Sequence, residues 1–457
     1  MFQQPFTADW HNTTTLHPLA MALTAALAAL IFVLPRRHAL IPLVIAACFI
    51  APAQRVVLLT MDFTMLRVLL LAGCARVMLR GEIVMLRWKL LDTLMVAWCV
   101  AGVLTYSIQY ASFGMFVQKL GFTYDAAGMY FLCRFLVRDW DDLIAFTTNV
   151  ILISAPVTVF LLVEKTTGRN IFSVFGGVPE YTRVREGRLR VQGAFGHPIL
   201  LGCFWAAMLP LIVALVRHHS WRRYIVPLGV VTSMTAAIVT ASSTPWLVLL
   251  ITLMAILFYP FRRWTPWVRW AGCLGLVSLH LVMLKPVWHL IARVDVVSGS
   301  TGWYRYKLID EFFNHFGDWW LFGTHDYVNW YTYGFEAVTN QYIFEGVNGG
   351  LITLALFIAI IVEAYRALGH LQRRVLGDPI RSAFAWAIGV SLFVHVVSFI
   401  AVAYTGQIRF VWFFALAVAA TFQPARRAAH APMFVRIRKV KDTPEPASVA
   451  VAEPTTS

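Results

Sequence analysis

Long uninterrupted apolar runs constrain this chain more than any motif does. Thirteen stretches of helix-compatible length read at residues 16–34, 39–53, 64–78, 90–108, 116–137, 143–163, 198–216, 224–241, 245–260, 268–284, 347–368, 384–403 and 410–422. A bilayer-spanning helix takes about 20 mostly apolar residues, so the runs predict an all-α polytopic membrane protein of about 12–13 transmembrane helices, the second and third being marginal in length. Of 457 residues, 59% are hydrophobic and 13% charged. Soluble domains carry about 25% charge, which excludes a soluble enzyme on a single anchor. The alternating segments of a transmembrane barrel are nearly absent, and long apolar stretches satisfy their backbone in lipid only as helices.

The net charge of +15 would suggest nucleic acid in a soluble chain, but here its placement matters more than its sum. Alternate loops collect the cations: Arg36 and Arg37; Arg80, Arg87 and Lys89; Arg217, Arg222 and Arg223; Arg262, Arg263 and Arg269; Arg366, Arg373, Arg374 and Arg381. The positive-inside rule puts these loops in the cytoplasm, and no nucleic-acid partner is expected. The segment 1–15 lacks the basic region and cleavage site of a signal peptide, so the first span is expected to be retained. The six cysteines (Cys48, Cys74, Cys99, Cys133, Cys203, Cys273) share no metal-ligand spacing and read as small core residues. The resulting plan is N-terminal transmembrane helices over 1–163, a first periplasmic loop over 164–197, central helices over 198–284, a large periplasmic loop over 285–345, C-terminal helices over 346–423, and a basic cytoplasmic tail over 424–457. The tail is rich in Pro, Glu, Thr and Ser beyond Lys441, and its composition predicts disorder.

The two enlarged loops are where function is to be sought. The first carries Arg183, Arg185, Arg188 and Arg190, followed by Gly193, Gly196, His197 and Pro198 at the edge of an apolar run. Four arginines on the expected outer side run against the positive-inside rule, so something must compensate for them. A guanidinium fork fits phosphate oxygens bidentately. The cluster therefore points either to an anionic lipid-linked substrate or to ordinary lipid headgroups. Gly193 allows close backbone approach, and Pro198 suits a helix first turn, whose free amides favour phosphate. His197, at that start, reads as a cap or a substrate contact before a catalyst. In the second loop, residues 304–316 fit a short amphipathic helix along the membrane surface. Trp303, Trp319, Trp320, Trp330, Tyr331 and Tyr333 around it fit an interfacial aromatic belt or a sugar-binding wall. Asp139-Trp140-Asp141 has the outline of a metal-binding D-x-D but falls on the cytoplasmic side beside Arg138, and reads as a helix-end charge cluster. Arg67, Arg76, Glu363 and His395 lie in or near spans, where Arg76 and Glu363 can snorkel.

Three segments in order carry a resemblance: Arg190-Val-Gln-Gly193-Ala-Phe195-Gly-His197-Pro198; Arg305 before an amphipathic stretch ending at Leu321-Phe322-Gly323; and Asn340-Gln341-Tyr342-Ile343 through Gly349-Gly350-Leu351. Together they resemble the O-antigen ligase and polysaccharide polymerase superfamily over about half the chain. The resemblance implies a GT-C-like fold and a metal-independent, cofactor-free glycosyltransferase. Such an enzyme moves a glycan from an undecaprenyl-pyrophosphate carrier to a lipid or glycan acceptor on the periplasmic side of the bacterial inner membrane. It implies that Arg190 and Arg305 hold the pyrophosphate, with Arg183, Arg185, Arg188, Gly193, His197 and Asn340 at the substrate. Where many members have a histidine before the Asn motif, this chain has Thr339, so His325 is the candidate proton acceptor, with His315 in the same loop. Where the family often has a Ser-Arg pair, this chain has Ser242-Ser243-Thr244-Pro245. A transporter of an anionic glycolipid, or a non-catalytic component of an exopolysaccharide assembly complex, would share many of these features, though transporters usually show internal repeats.

Overall fold

In the computed structural model, residues 14–58, 61–83, 86–293, 302–330 and 337–423 are described. The expected disorder of 424–457, and Tyr331 and Tyr333, lie outside them. Every one of the thirteen apolar runs coincides with a helix: α1 (Pro18–Val33), α2 (Ile41–Phe49), α3 (Met65–Leu79), α4 (Leu90–Tyr110), α5 (Phe113–Leu136), α6 (Trp140–Thr167), α7 (Pro198–Ala214), α8 (Val226–Ile238), α9 (Ser243–Leu257), α10 (Thr265–Val282), α13 (Gln341–Arg374), α14 (Pro379–Ser398) and α15 (Ile408–Phe422). Between α10 and α13 lie α11 (Gly302–Asn314) and the one-turn α12 (Phe316–Trp319).

Five helices are long and apolar enough to cross a membrane: α4, α6, α7 with its 3-10 extension to Arg217, α13 and α14. The pair α9–α10, bent by 84°, adds a sixth if it counts as one span. The others fall short for identifiable reasons. At 9 residues α2 reaches only about 14 Å, less than half the hydrocarbon thickness. Helix α5 is long but carries Lys119, Asp125 and Arg134.

Contacts among helix termini sort into two ends. At the first, Arg36 donates to the Leu136 carbonyl (2.7 Å) and pairs with Asp139 and Asp142, Arg134 donates to Thr421 Oγ1 (3.1 Å), and Trp140 stacks on Phe422 at 4.0 Å. At the second, Gln407 donates to the Ala194 carbonyl (2.8 Å), the Gln341 amide to the Phe399 carbonyl (2.8 Å), and the Val191 amide to the Val239 carbonyl (3.3 Å). Between them runs one apolar core. Arginines within it are all paired: Arg76, fully buried, with Glu82 and the Leu34 carbonyl; Arg134 with Asp92; Arg67 with Asp125. Arg76 thus stays inside and ties α3 to α1 rather than snorkelling. His395 is also fully buried, its Nδ1 2.8 Å from the Tyr404 hydroxyl, and Glu363 accepts from Gln423 (2.9 Å). Cys273 departs from the expectation that the cysteines are core, because α10 is exposed along its length.

Two short antiparallel hairpins complete the described chain. Strands β1 (Arg55–Leu58) and β2 (Met61–Thr64) lie at the second end, and β3 (Val184–Arg185) with β4 (Arg188–Leu189) forms the tip of the first enlarged loop.

Candidate functional site

The first enlarged loop is folded around a buried carboxylate. Glu164, in the last turn of α6, accepts the amides of Gln192 (3.1 Å) and Gly193 (2.8 Å) and the Thr182 hydroxyl (3.1 Å). Asn170 donates to the Gly193 carbonyl at 2.8 Å. Gly193 has φ of +57°, and a Cβ there would meet Leu161 at 2.8 Å. Its left-handed backbone favours glycine, and its amide and carbonyl are both committed to the protein. Beyond this anchor Glu186 and Gly187, with φ of +48° and +71°, turn the β3–β4 hairpin as a type I′ loop would. The hairpin displays Arg183, Arg185 and Arg188, the last at the exposed turn.

Arg190 follows the hairpin, its amide bonded to the Arg183 carbonyl (2.9 Å). Its guanidinium meets no carboxylate. Instead Nε and Nη2 both donate to Ser242 Oγ, at 3.1 and 2.7 Å, in the turn between α8 and α9. Arg305 reaches the same neighbourhood from α11, with its buried Nε lacking a hydrogen-bond partner among the described residues. Among those residues no Asp or Glu lies within 4.0 Å of Arg183, Arg185, Arg188, Arg190 or Arg305. The electrostatic consequence is plain. Burial, and then the charges of Arg185, Arg183 and Arg305, hold Arg190 down at about 10; Arg305 is lowered by burial and by Arg185.

His197 sits inside this cationic ring and caps α7. Its Nδ1 accepts the Ile199 amide (3.1 Å), and Pro198 occupies the first turn. Burial first, then Arg190, Arg183, Arg305 and Arg185, lower its pKa to about 4. At neutral pH the ring is uncharged, and with Nδ1 accepting, its proton sits on Nε2. His197 is therefore a hydrogen-bond donor beside the arginines and a poor base. The α7 N-terminus adds the positive end of its dipole but no free amide, because Pro198 has no N–H and the Ile199 and Leu200 amides are bonded to His197. Four arginines from two loops, a neutral imidazole N–H and a helix N-terminus together form a site that can bind a multiply charged phosphate group.

Other residues singled out by sequence fall elsewhere. Asn340 caps α13, its Oδ1 accepting from Tyr342 (2.9 Å) and Ile343 (3.2 Å) and its Nδ2 donating to the Ile400 carbonyl (3.2 Å). His325, 61% exposed, lies 3.4 Å from Asp326 with its ring against Tyr110. His315 stacks on Trp330 and faces Glu311 at 3.5 Å. The aromatic cluster splits: Trp319 and Trp330 are buried packing residues, while Trp303 and Trp320 are half exposed. Asp139 is the N-cap of α6, accepting the Asp142 amide at 2.9 Å. Among the described residues no group of three or more His, Cys, Asp or Glu side chains could hold a metal ion.

Two features escaped sequence reasoning. One is Ser242 as the partner of Arg190; the only hint was the turn in which related sequences often place a Ser-Arg pair. The other is an interlock of the two glycine segments. Helix α13 breaks at Gly350 (φ 71°, ψ −170°), where a Cβ would meet the Leu321 carbonyl oxygen at 2.4 Å, and at Gly323 (φ 91°) a Cβ would meet the Val347 carbonyl oxygen at 2.3 Å. The Leu351 amide donates to the Trp320 carbonyl and the Thr324 amide to the Val347 carbonyl, both at 2.8 Å. The loop that carries Arg305 is thus stitched into the break. In comparisons with known proteins, no family model matches the chain and no curated protein matches it.

Proposed function

We propose that the protein is a metal-independent glycosyltransferase of the bacterial inner membrane. In this reading it moves a glycan from an undecaprenyl-pyrophosphate carrier to a lipid or glycan acceptor, as an O-antigen ligase or polysaccharide polymerase does. The observation that carries the proposal is that Arg190 and Arg305, distant in sequence, both act electrostatically on His197, with no Asp or Glu within 4.0 Å of either among the described residues. Buried cations left unpaired are costly, and an anionic ligand is what would relieve them. In this reading the arginine end faces outward and the cluster lies at the periplasmic edge of the bilayer.

The chemistry follows from that placement. An acceptor hydroxyl oxygen attacks the anomeric carbon as the bond from that carbon to the diphosphate oxygen breaks. The electron pair leaves with the diphosphate, and the hydroxyl proton goes to a base. Arg190 and Arg305, with the His197 N–H, stabilise charge that grows on the leaving group, so they act more strongly in the transition state than before it. His325, beside Asp326, is the assigned base; His197 already carries its proton on the nitrogen facing away from α7 and serves as a donor.

The test is to incubate purified protein with a lipid-pyrophosphate-linked glycan and candidate acceptors, without nucleotide or metal, and to measure released carrier and glycan product. Transfer that is lost in Arg190→Ala and Arg305→Ala is the expected result. Carrier moved across a proteoliposome membrane without release would instead favour a glycolipid transporter, a reading to which the broken helix α13 lends its one specific support.

A further inference from the structure

A second polar site lies at the same end of the bundle, enclosed by α4, α5, α13 and α15. The cavity measures about 220 Å³, room for roughly seven waters. That is the scale of one sugar ring. Its lining combines aromatic residues, including Trp98, Phe357, Trp412 and Tyr404, with the polar Lys119, Arg409, Glu345, Gln118 and Asn348. Lys119 is in the second turn of α5, Glu345 in the second turn of α13, and Arg409 in the first turn of α15, so the cavity begins within about 11 Å of the helix ends.

The charges do not balance. The Glu345 carboxylate accepts from Gln341 (2.7 Å) and Trp98 (3.0 Å), and its charge offsets one cation. Arg409 donates Nε to the Tyr404 carbonyl (2.9 Å), but its nearest carboxylate, Asp125 at 3.9 Å, is already held by both prongs of Arg67 at 2.7 and 2.8 Å. The Lys119 ammonium has no carboxylate within 4.0 Å among the described residues and rests 5.0 Å from the Tyr106 ring centroid, its stem packed on Gly102. Two cations therefore face the cavity against one committed carboxylate, and a third party carrying one negative charge would complete the set. Aromatic faces suit the apolar faces of a sugar ring, and the amides of Gln118 and Asn348 supply hydrogen-bonding groups that an acyl chain would leave unused.

We propose that this cavity is the acceptor subsite and that it takes a sugar residue bearing a single anionic group, such as a uronic acid, with that group between Lys119 and Arg409. The proposal rests on the glycosyl-transfer reading. Tyr106 lines the cavity, Tyr110 packs on Tyr106 at 4.6 Å, and the His325 ring lies 5.8 Å from Tyr110, so two ring contacts separate the assigned base from the cavity lining.

The experiment is calorimetric titration of the full-length protein in phosphatidylcholine nanodiscs with a glucuronate-terminated oligosaccharide and its glucose-terminated counterpart. Undecaprenyl pyrophosphate binding is measured in parallel. The uronate should bind, the neutral sugar about ten- to a hundredfold more weakly, matching the loss of one charged hydrogen bond. Lys119→Gln should abolish that preference and Lys119→Arg restore it, with carrier binding unchanged in both. Asn348→Leu, which alters no charge, should weaken both sugars and serves if Lys119→Gln fails to fold. Equal binding of the two sugars, or a preference untouched by Lys119→Gln, overturns the acceptor site while normal carrier binding leaves the transferase reading standing. Uronate binding without any carrier binding overturns both. Displacement of bound phosphatidylglycerol as the only Lys119-dependent event makes the cavity a lipid site and overturns the proposal.

Discussion

The protein treats arginine in two ways. In the helix core and at the first end, Arg36, Arg67, Arg76 and Arg134 each have an acidic partner within 4.0 Å, six residues on for Arg76 and on a distant segment for the other three. At the second end, Arg190 is held by a serine hydroxyl and the buried Arg305 Nε has no hydrogen-bond partner among the described residues. Both groups pay desolvation, but only the first recovers it inside the fold. The difference separates arginines that are paired within the fold from the arginines that the proposed function assigns to an outside anion.

That contrast can be broken most forcefully through the paired set. Asp92 is fully buried and accepts from Arg134 (3.1 Å) and from the Tyr130 hydroxyl (2.6 Å). Asp92→Ala should cost about 3–5 kcal/mol by stranding a buried guanidinium, read as a lowered unfolding midpoint in detergent. A variant as stable as the parent would erase the distinction. Arg190→Ala and Arg305→Ala should behave in the opposite manner. Each leaves the midpoint unchanged or raised while transfer falls about 10²- to 10³-fold, the scale for removing one transition-state donor.

Supplying the missing partner sharpens the comparison further. Ser242→Asp would convert Arg190 into a paired arginine. Stability should rise and carrier binding fall, by about tenfold or more, measured side by side on one preparation. If binding is untouched, Arg190 does not need its free valences. Acid sensitivity gives a smaller effect. The folded His197 titrates near 4, below the unfolded value of 6.5, so the unfolded chain takes up a proton that the folded one refuses. Stability contributed by the neutral ring is complete above pH 6.5, and is lost as pH falls toward 4, by about 3 kcal/mol. Added pyrophosphate should shrink this loss by neutralising the arginines, and an unchanged acid limb with His197→Gln would refute the assignment. Least of all, Ser242→Ala should cost about 1 kcal/mol in carrier binding, since it removes orientation and no charge.

Much of this was legible in the sequence, for reasons particular residues make clear. The helices could be read because lipid leaves long apolar runs one way to satisfy their backbone, and the fourfold arginine loop because its charge stands out in an apolar chain. Pairing could not be read. Nothing local marks Asp92 as the partner of Arg134, or Asp125 as that of Arg67, since the helices concerned meet only in three dimensions. Ser242 was hidden for the same reason, and nothing local in the sequence marks Lys119 and Glu345 as lining one cavity. Trp319 and Trp330 were misread as a surface wall because aromatic residues near an interface and aromatic residues in a small core share one composition. Gly193 and Asn340 stood out in sequence, yet their polar groups hold the loop and cap the helix.

The seam at Gly323 and Gly350 has a mechanical consequence. One backbone segment carries Arg305 on one side of the seam and His325 on the other, and it is pinned to the same helix whose first two turns bear Glu345. If Arg305 grips a diphosphate as proposed, this seam links that grip through backbone alone to the helix that walls the neighbouring chamber.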